Sequence, residues 1–115
     1  MSYSVTEAFV SWLAALGYAA STQPPTGVTE FVTVERTGGG VTDMADHPTI
    51  AIQAWASTEP RAEEMANAIR LSCLTSRPAG VASIAINSGP YRFFDESTRM
   101  PRYQVVLDCT AQITD

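Results

Sequence analysis

The first hydrophobic pattern along the chain is helical. Apolar residues recur three and four positions apart, which places them on one face of a helix. Ser4 precedes this stripe and Glu7 follows three residues later, so the two can form a capping box, and Gly17 is placed to end the helix in a left-handed conformation. The stripe consists of Val5, Phe9, Trp12, Leu13 and Leu16.

The pattern then changes to that of strands on either side of a glycine run. Residues 28–36 (VTEFVTVER) are rich in β-branched side chains and predict a strand whose apolar residues fall on both faces. Residues 49–57 (TIAIQAWAS) alternate with a period of two and predict a second strand. Residues 37–48 between them predict a Gly-rich hairpin arm or loop.

The second half of the chain predicts one helix and two strands. Residues 57–74 have Pro60 in the first turn and a stripe of mostly small apolar side chains, which favours a helix packed closely on a sheet. Residues 81–89 predict a third strand, and residues 102–113 show the clearest alternation in the chain.

The predicted order of elements is therefore α-β-β-α-β-β, without the βαβ alternation of a parallel sheet. We expect an α+β fold: a four-stranded, largely antiparallel sheet with both helices packed on one face. The 115 residues have room for a single domain, residues 1–115.

Composition narrows the classes of function. The net charge is −5 and all seven basic residues are arginines, which argues against a surface that grips DNA and suits contacts with proteins. No apolar run approaches the roughly 20 residues of a membrane span, and the N-terminus predicts no secretory signal. Cys73 and Cys109 fall on apolar faces and are predicted to be buried free thiols, which suits a cytoplasmic setting.

The residues that carry chemistry form no catalytic pattern. The glycines at 38–40 cannot form a P-loop because the chain contains no lysine, and they precede a strand, unlike a dinucleotide-binding fingerprint. Asp46 is next to His47, so in a strand the two side chains point to opposite faces and cannot act as base and orienting acid. One histidine and two dispersed cysteines predict no metal site. We expect no enzymatic activity and no cofactor.

The order of elements carries a resemblance to a known family. The stretches that carry it are, in order, FVTVERTGG, QAWAS leading into EPRAEEMANAIR, SGPYRFFDE and MPRYQVVLDCTAQ. They resemble the tail terminator (tail completion) proteins of long-tailed bacteriophages, those of actinobacterial phages most. The resemblance covers roughly residues 5–113. Its strongest points are Arg36, Gly38, Gly39, Trp55, Ala56, Pro101, Arg102 and Tyr103.

The resemblance implies a structural virion protein without catalysis or cofactor. Its subunits would form a homo-hexameric ring that caps the tail tube, stops tube polymerisation and joins the tail to head-completion (neck) proteins. DNA would pass through the lumen without specific binding, and no membrane is involved. The protein would assemble in the host cytoplasm and lie at the head-proximal end of the virion tail.

Within this framework residues 36–47 are expected to form a mobile hairpin arm that docks on the tail tube or an adjacent subunit. Asp95 and Glu96 are the candidate lumen-facing residues. The candidate partner-binding residues are Arg36, Thr37, Gly38, Gly39, Gly40, Asp46, His47, Arg92, Arg99 and Arg102.

Two alternatives remain open. A head-closure or neck adaptor is also a small ring-forming virion protein. A ferredoxin-like α+β domain that binds a small molecule belongs to a different class and would need a pocket with convergent polar groups.

Overall fold

The computed structural model describes residues 3–42, 44–93 and 100–113. Five strands form one sheet in the order β1-β2-β3-β5-β4. The elements are α1 (Val5–Ala15), β1 (Ala20–Ser21), β2 (Phe31–Thr42), β3 (Ala45–Trp55), α2 (Glu59–Thr75), β4 (Val81–Arg92) and β5 (Arg102–Ala111).

The sheet corrects the predicted fold. The order of elements along the chain is α-β-β-β-α-β-β and the sheet is mixed, so the predicted four-stranded, largely antiparallel sheet is wrong. The missed strand, β1, runs parallel to β2, pairing Ala20 with Val32 and Ser21 with Thr33. The Val32 N–H also donates to the Ala19 carbonyl at 2.8 Å. Two residues are too few to show a period, which is why the sequence pattern does not reveal β1.

Each helix begins after an N-cap residue, which is Ser4 for α1, as the sequence predicts, and Thr58 for α2. The Ser4 hydroxyl accepts a hydrogen bond from the Glu7 N–H at 3.3 Å, and the Thr58 hydroxyl accepts one from the Arg61 N–H at 3.4 Å. Gly17 follows α1 with a φ of 104°, the left-handed conformation expected of it. Neither of the two helices in the described part of the chain is long and apolar enough to cross a membrane.

One hydrophobic core joins both helices to the sheet. From the helices, Phe9, Leu13 and Ile69 are fully buried, and they share one cluster with strand side chains such as Ile52 and Leu107. Burying a side chain of this size contributes about 1.5–3 kcal/mol, so the cluster holds the helix layer on the sheet. Cys73 and Cys109 lie in the same cluster as free thiols, which confirms the prediction for both.

The first long strand begins and ends later than its sequence pattern suggests. Val28 lies outside β2 and is exposed, and β2 continues through the glycine run to Thr42. Its partner β3 begins at Ala45, so residues 37–48 lie mostly within the two strands of a long antiparallel hairpin. A bulge interrupts the pairing between Arg36 and Gly38.

Candidate functional site

An ion pair between two of the predicted partner-binding residues joins the two strands of the β2–β3 hairpin close to its turn. Arg36 Nη1 donates to Asp46 Oδ2 and Arg36 Nη2 to Asp46 Oδ1, both at 2.7 Å. Arg36 Nε also donates to the Gly38 carbonyl at 3.2 Å. This planar, two-point geometry is the strongest form of arginine–carboxylate contact. The two side chains therefore fasten the hairpin to itself.

Burial makes this pair electrostatically important. Asp46 is only 2% exposed, whereas the Arg36 side chain is 31% exposed. The hydrogen bonds from Arg36 hold the pKa of Asp46 below its usual value, and those same bonds raise the pKa of Arg36. The carboxylate is thus ionised at neutral pH although it lies inside the protein.

The glycine run has one position that only glycine suits. Gly39 has a φ of 90°, and a Cβ built there would collide with the His47 carbonyl oxygen and lie 2.9 Å from the Pro48 Cα. Gly38 and Gly40 have ordinary φ values and open space where a side chain would stand. The close approach of the two strands therefore explains Gly39 and leaves the other two glycines unexplained.

His47 is exposed and lies opposite Gly40 in the hairpin, and the neighbouring Asp46 points into the core. This confirms that the histidine and the carboxylate point to opposite faces. Thr37 is also exposed, and its hydroxyl lies 3.5 Å from the Thr49 carbonyl across the strand pair.

The hairpin ends in an apolar tip, which we define as Val41 and Met44. These side chains are 57% and 87% exposed, and Met44 is the most exposed large hydrophobic residue of the described chain. Since burial of apolar surface is favourable, an exposed methionine and valine at the turn end of the hairpin are suited to contact with another molecule.

The face of the sheet opposite the helices, called here the outer face, carries a chain of hydrogen bonds that the sequence does not reveal. Trp55 Nε1 donates to the Thr33 hydroxyl at 3.0 Å, and that hydroxyl donates to Gln53 Oε1 at 3.3 Å. Gln53 Nε2 donates to Gln104 Oε1 at 2.7 Å, and Gln104 Nε2 donates to the Tyr91 oxygen at 2.6 Å. The chain links four strands across the sheet.

Arg102 is built into this network. Its guanidinium carbon lies 4.4 Å from the centroid of the Trp55 ring and 4.4 Å from that of the Phe93 ring. Arg102 Nε donates to the Phe93 carbonyl at 3.2 Å, and the residue is only 8% exposed. Most of this predicted partner-binding side chain is therefore enclosed by its own subunit, where cation–π attraction holds it.

Arg92 is the most exposed of the candidate arginines that the structure describes, at 59%. Its Nε lies 3.3 Å from Glu59 Oε1, which also accepts a hydrogen bond from the Tyr103 hydroxyl at 3.3 Å. Arg99, Asp95 and Glu96 lie outside the described residues.

Described residues line two surface grooves of about 450 Å³ each. The first lies along the outer edge of β2 and includes Glu35, Arg36 and Trp55 in its lining. The second lies beside the start of α1 and includes Tyr3, Trp12 and Arg77. Across residues 3–42, 44–93 and 100–113 there is no group of three or more histidine, cysteine or acidic side chains placed to hold a metal ion.

Both long edges of the sheet are poor in charge. β4 forms one edge, and Arg92 at its end is its one charged residue. β2 lies next to the other edge, where β1 pairs only with Val32 and Thr33. Residues 37–42 of β2 (TGGGVT) carry no charge. Natural edge strands are often protected by charged side chains, prolines or bulges, and β4 has a proline and register shifts after residue 86. Residues 83–86 of β4 and residues 37–42 of β2 carry no charge, so these two stretches are candidates for pairing with another chain.

Comparison with protein-family models gives no match, and comparison with curated proteins gives none either.

Proposed function

We propose that this chain is a tail terminator: a structural subunit that forms a ring of about six copies and caps the tail tube of a long-tailed bacteriophage. The ring would stop tube polymerisation and present its opposite side to the neck proteins, at the head-proximal end of the virion tail. The resemblance of residues 5–113 to that family motivates the proposal, and the hairpin with its apolar tip is the structural observation that carries it.

The tip is suited to docking because its backbone is held in place while its apolar side chains remain in water. The Arg36–Asp46 pair fastens the two strands together close to the turn, at 2.7 Å for both contacts. Val41 lies opposite Asp46 and Met44 lies in the turn beyond it, and both side chains are exposed. A preorganised hairpin loses little conformational freedom on binding, so more of the free energy of burying its tip contributes to affinity.

Charge is consistent with a conduit for DNA. The chain has a net charge of −5. A ring of such subunits lacks the excess of basic side chains that releases counterions from the phosphate backbone and gives nonspecific affinity. DNA could therefore pass through its lumen without being held.

The test is tube capping by a variant with a polar tip. Val41→Ser with Met44→Ser removes the apolar surface but keeps the hairpin. We expect wild-type protein to stop the growth of polymerising tail tubes and to appear at one tube end in negative-stain images. The variant should keep its melting temperature and need at least about tenfold more protein to cap, because each apolar side chain buried at a contact contributes about 1.5–3 kcal/mol.

A matched control has the same change on another surface. Leu71 and Leu74 are also exposed, at 54% and 64%, on α2. Leu71→Ser with Leu74→Ser should cap tubes like the wild type. Capping by the tip variant at wild-type concentrations would contradict docking through the tip. Binding of the wild type to neck proteins and never to tubes would favour a neck adaptor instead.

A further inference from the structure

We propose that residues 83–86 of β4 pair, antiparallel, with residues 37–40 of β2 in a second copy of this chain, so that neighbouring subunits share one continuous sheet. This inference rests on the proposed function and identifies the contact that would build the ring. It follows from the direction in which the two strands run, from their positions along the strand axis and from the side chains that they carry.

Direction is set by the sheet topology. β2, β3, β5 and β4 are joined by three antiparallel pairings, so β2 and β4 run in opposite directions. Rotation about a ring axis roughly along the strands leaves the direction of each strand unchanged. β4 of one copy would therefore meet β2 of the next copy antiparallel, the more frequent and slightly more stable pairing. A contact of this kind uses two different surfaces, and it closes into a ring when the rotation between neighbours divides a full turn evenly.

The two charge-poor stretches also lie at the same height along the strand axis. Gly38 pairs with Thr49, Thr49 with Asp108 and Asp108 with Ala85, which makes one row across the sheet from edge to edge. The register of β4 shifts after Val81 and again after Ile86, so the regular part of this edge is residues 83–86. A neighbouring copy can therefore place its residues 37–40 beside this regular part with little movement along the strand axis.

The side chains of β2 are also compatible with this pairing. The subunit itself requires glycine at position 39 but leaves open space at Gly38 and Gly40. Side chains on paired strands stand out from the face of the sheet, so these two positions accept substitution without blocking the edge. The glycines and the absence of charge leave this stretch without the bulk or charge that discourages pairing with another chain.

The arrangement also separates the two kinds of contact that a tail-capping ring needs. The sheet edges would face the neighbouring copies within the ring. The apolar tip lies at the end of β2, so it would point along the ring axis toward the next protein in the tail. A closed ring of this kind would leave no long unprotected edge, which removes the tendency of an isolated sheet to pair with unrelated chains.

Charge substitutions across the proposed contact provide the first test. Gly38 and Gly40 share the outer face with Ala85 and Ser83, both of which are exposed, so new side chains at all four positions would extend on the same side. Like charges that face each other on paired strands are destabilising and opposite charges are stabilising. We therefore compare lysine at all four positions with lysine at 38 and 40 and glutamate at 83 and 85.

The all-lysine variant (Gly38→Lys, Gly40→Lys, Ser83→Lys and Ala85→Lys) should need at least about tenfold more protein than the wild type to form rings in analytical ultracentrifugation. The lysine–glutamate variant should form rings near wild-type concentrations. As a control for added charge, Asn67→Lys with Thr75→Lys on exposed positions of α2 should assemble normally. Circular dichroism melting verifies that each subunit is folded.

A cross-linking test is independent of charge. In one subunit Gly38 and Ala85 are separated by three interstrand spacings, roughly 14 Å, too far for a disulfide within the chain. Paired positions on adjacent strands are close enough. Gly38→Cys with Ala85→Cys should give a ladder of covalently linked copies on oxidation, whereas Gly38→Cys with Asn67→Cys should give none.

The outcomes separate this inference from the proposed function. If the wild type forms rings, the inference is overturned when the two charge variants assemble alike, whether both succeed or both fail, or when the Gly38–Ala85 ladder is absent. The proposed function would then still stand. If the wild type stays monomeric at all concentrations and never binds tube ends, both proposals are overturned.

Discussion

Asp46→Asn should destabilise this protein more at neutral pH than in acid, because it removes the negative half of the ion pair that joins β2 to β3. The carboxylate accepts two hydrogen bonds from Arg36 at 2.7 Å and is only 2% exposed. Asparagine has nearly the same shape, so the substitution changes charge and hydrogen bonding with little change in packing volume. Arg36 would be left without the charge that faces it.

The size of the effect follows from the burial of the two partners. Removing one partner of a fully buried ion pair costs about 3–5 kcal/mol. Here the Arg36 side chain is 31% exposed, so water can solvate part of the orphaned charge. We expect a loss of about 2–3 kcal/mol, which lowers the melting temperature of a domain of this size by roughly 10–20 °C.

The pH dependence has a definite sign. Arg36 holds the pKa of Asp46 below its usual value in the folded state. The pair therefore contributes its full stability above the unfolded pKa of an aspartate, about 3.9, and loses it as pH falls through the lower folded pKa. The difference between the wild type and Asp46→Asn should be largest between pH 5 and 7 and should shrink below about pH 4.

Urea unfolding followed by tryptophan fluorescence measures this difference at each pH. Glu30→Gln is a suitable control because Glu30 pairs with Arg61 at 2.9 Å on the surface, where both side chains are more than 40% exposed. Exposed pairs contribute little, so its unfolding midpoint should remain near that of the wild type. A wild-type minus Asp46→Asn difference that is absent at pH 7, or that stays constant from pH 7 to pH 2.5, would refute the reasoning.

Two further predictions concern the glycine run and the thiols. Gly39→Ala should lower the free energy of unfolding by at least about 2 kcal/mol, because position 39 has a positive φ and a Cβ there collides with the opposite strand. Gly40→Ala should change the free energy of unfolding by no more than about 0.5 kcal/mol. Equal melting temperatures for the two variants would contradict this. Burial raises the pKa of Cys73 to about 11 and that of Cys109 to about 12. A thiol reagent at pH 8 should therefore modify both only after denaturation, and rapid reaction of either in the native protein would show that the core is open.

The elements that the sequence predicts well are those with a repeated pattern. The apolar stripe of α1 and the alternation of β5 each extend over ten or more residues, and the structure contains both. β1 consists of two residues held by the edge of β2, so nothing local marks it. The continuation of β2 through three glycines is also set by pairing with β3, which overrides a low local preference for strand.

The candidate site was predictable only in part. The sequence singles out Arg36 and Asp46 but cannot show that they bind each other, since ten residues separate them and the hairpin register brings them together. The outer-face network was missed for the same reason. Gln53 and Gln104 both alternate with core residues, which marks them as facing away from the helices, but their contact depends on the β3–β5 register.

The measurement that tests the central proposal most directly is electron microscopy of the purified protein with tail tubes, combined with native mass spectrometry of the protein alone. We predict rings of about six copies that bind one end of each tube and stop its growth. A protein that remains monomeric at every concentration, and that leaves both tube ends bare and growing, would contradict the proposal.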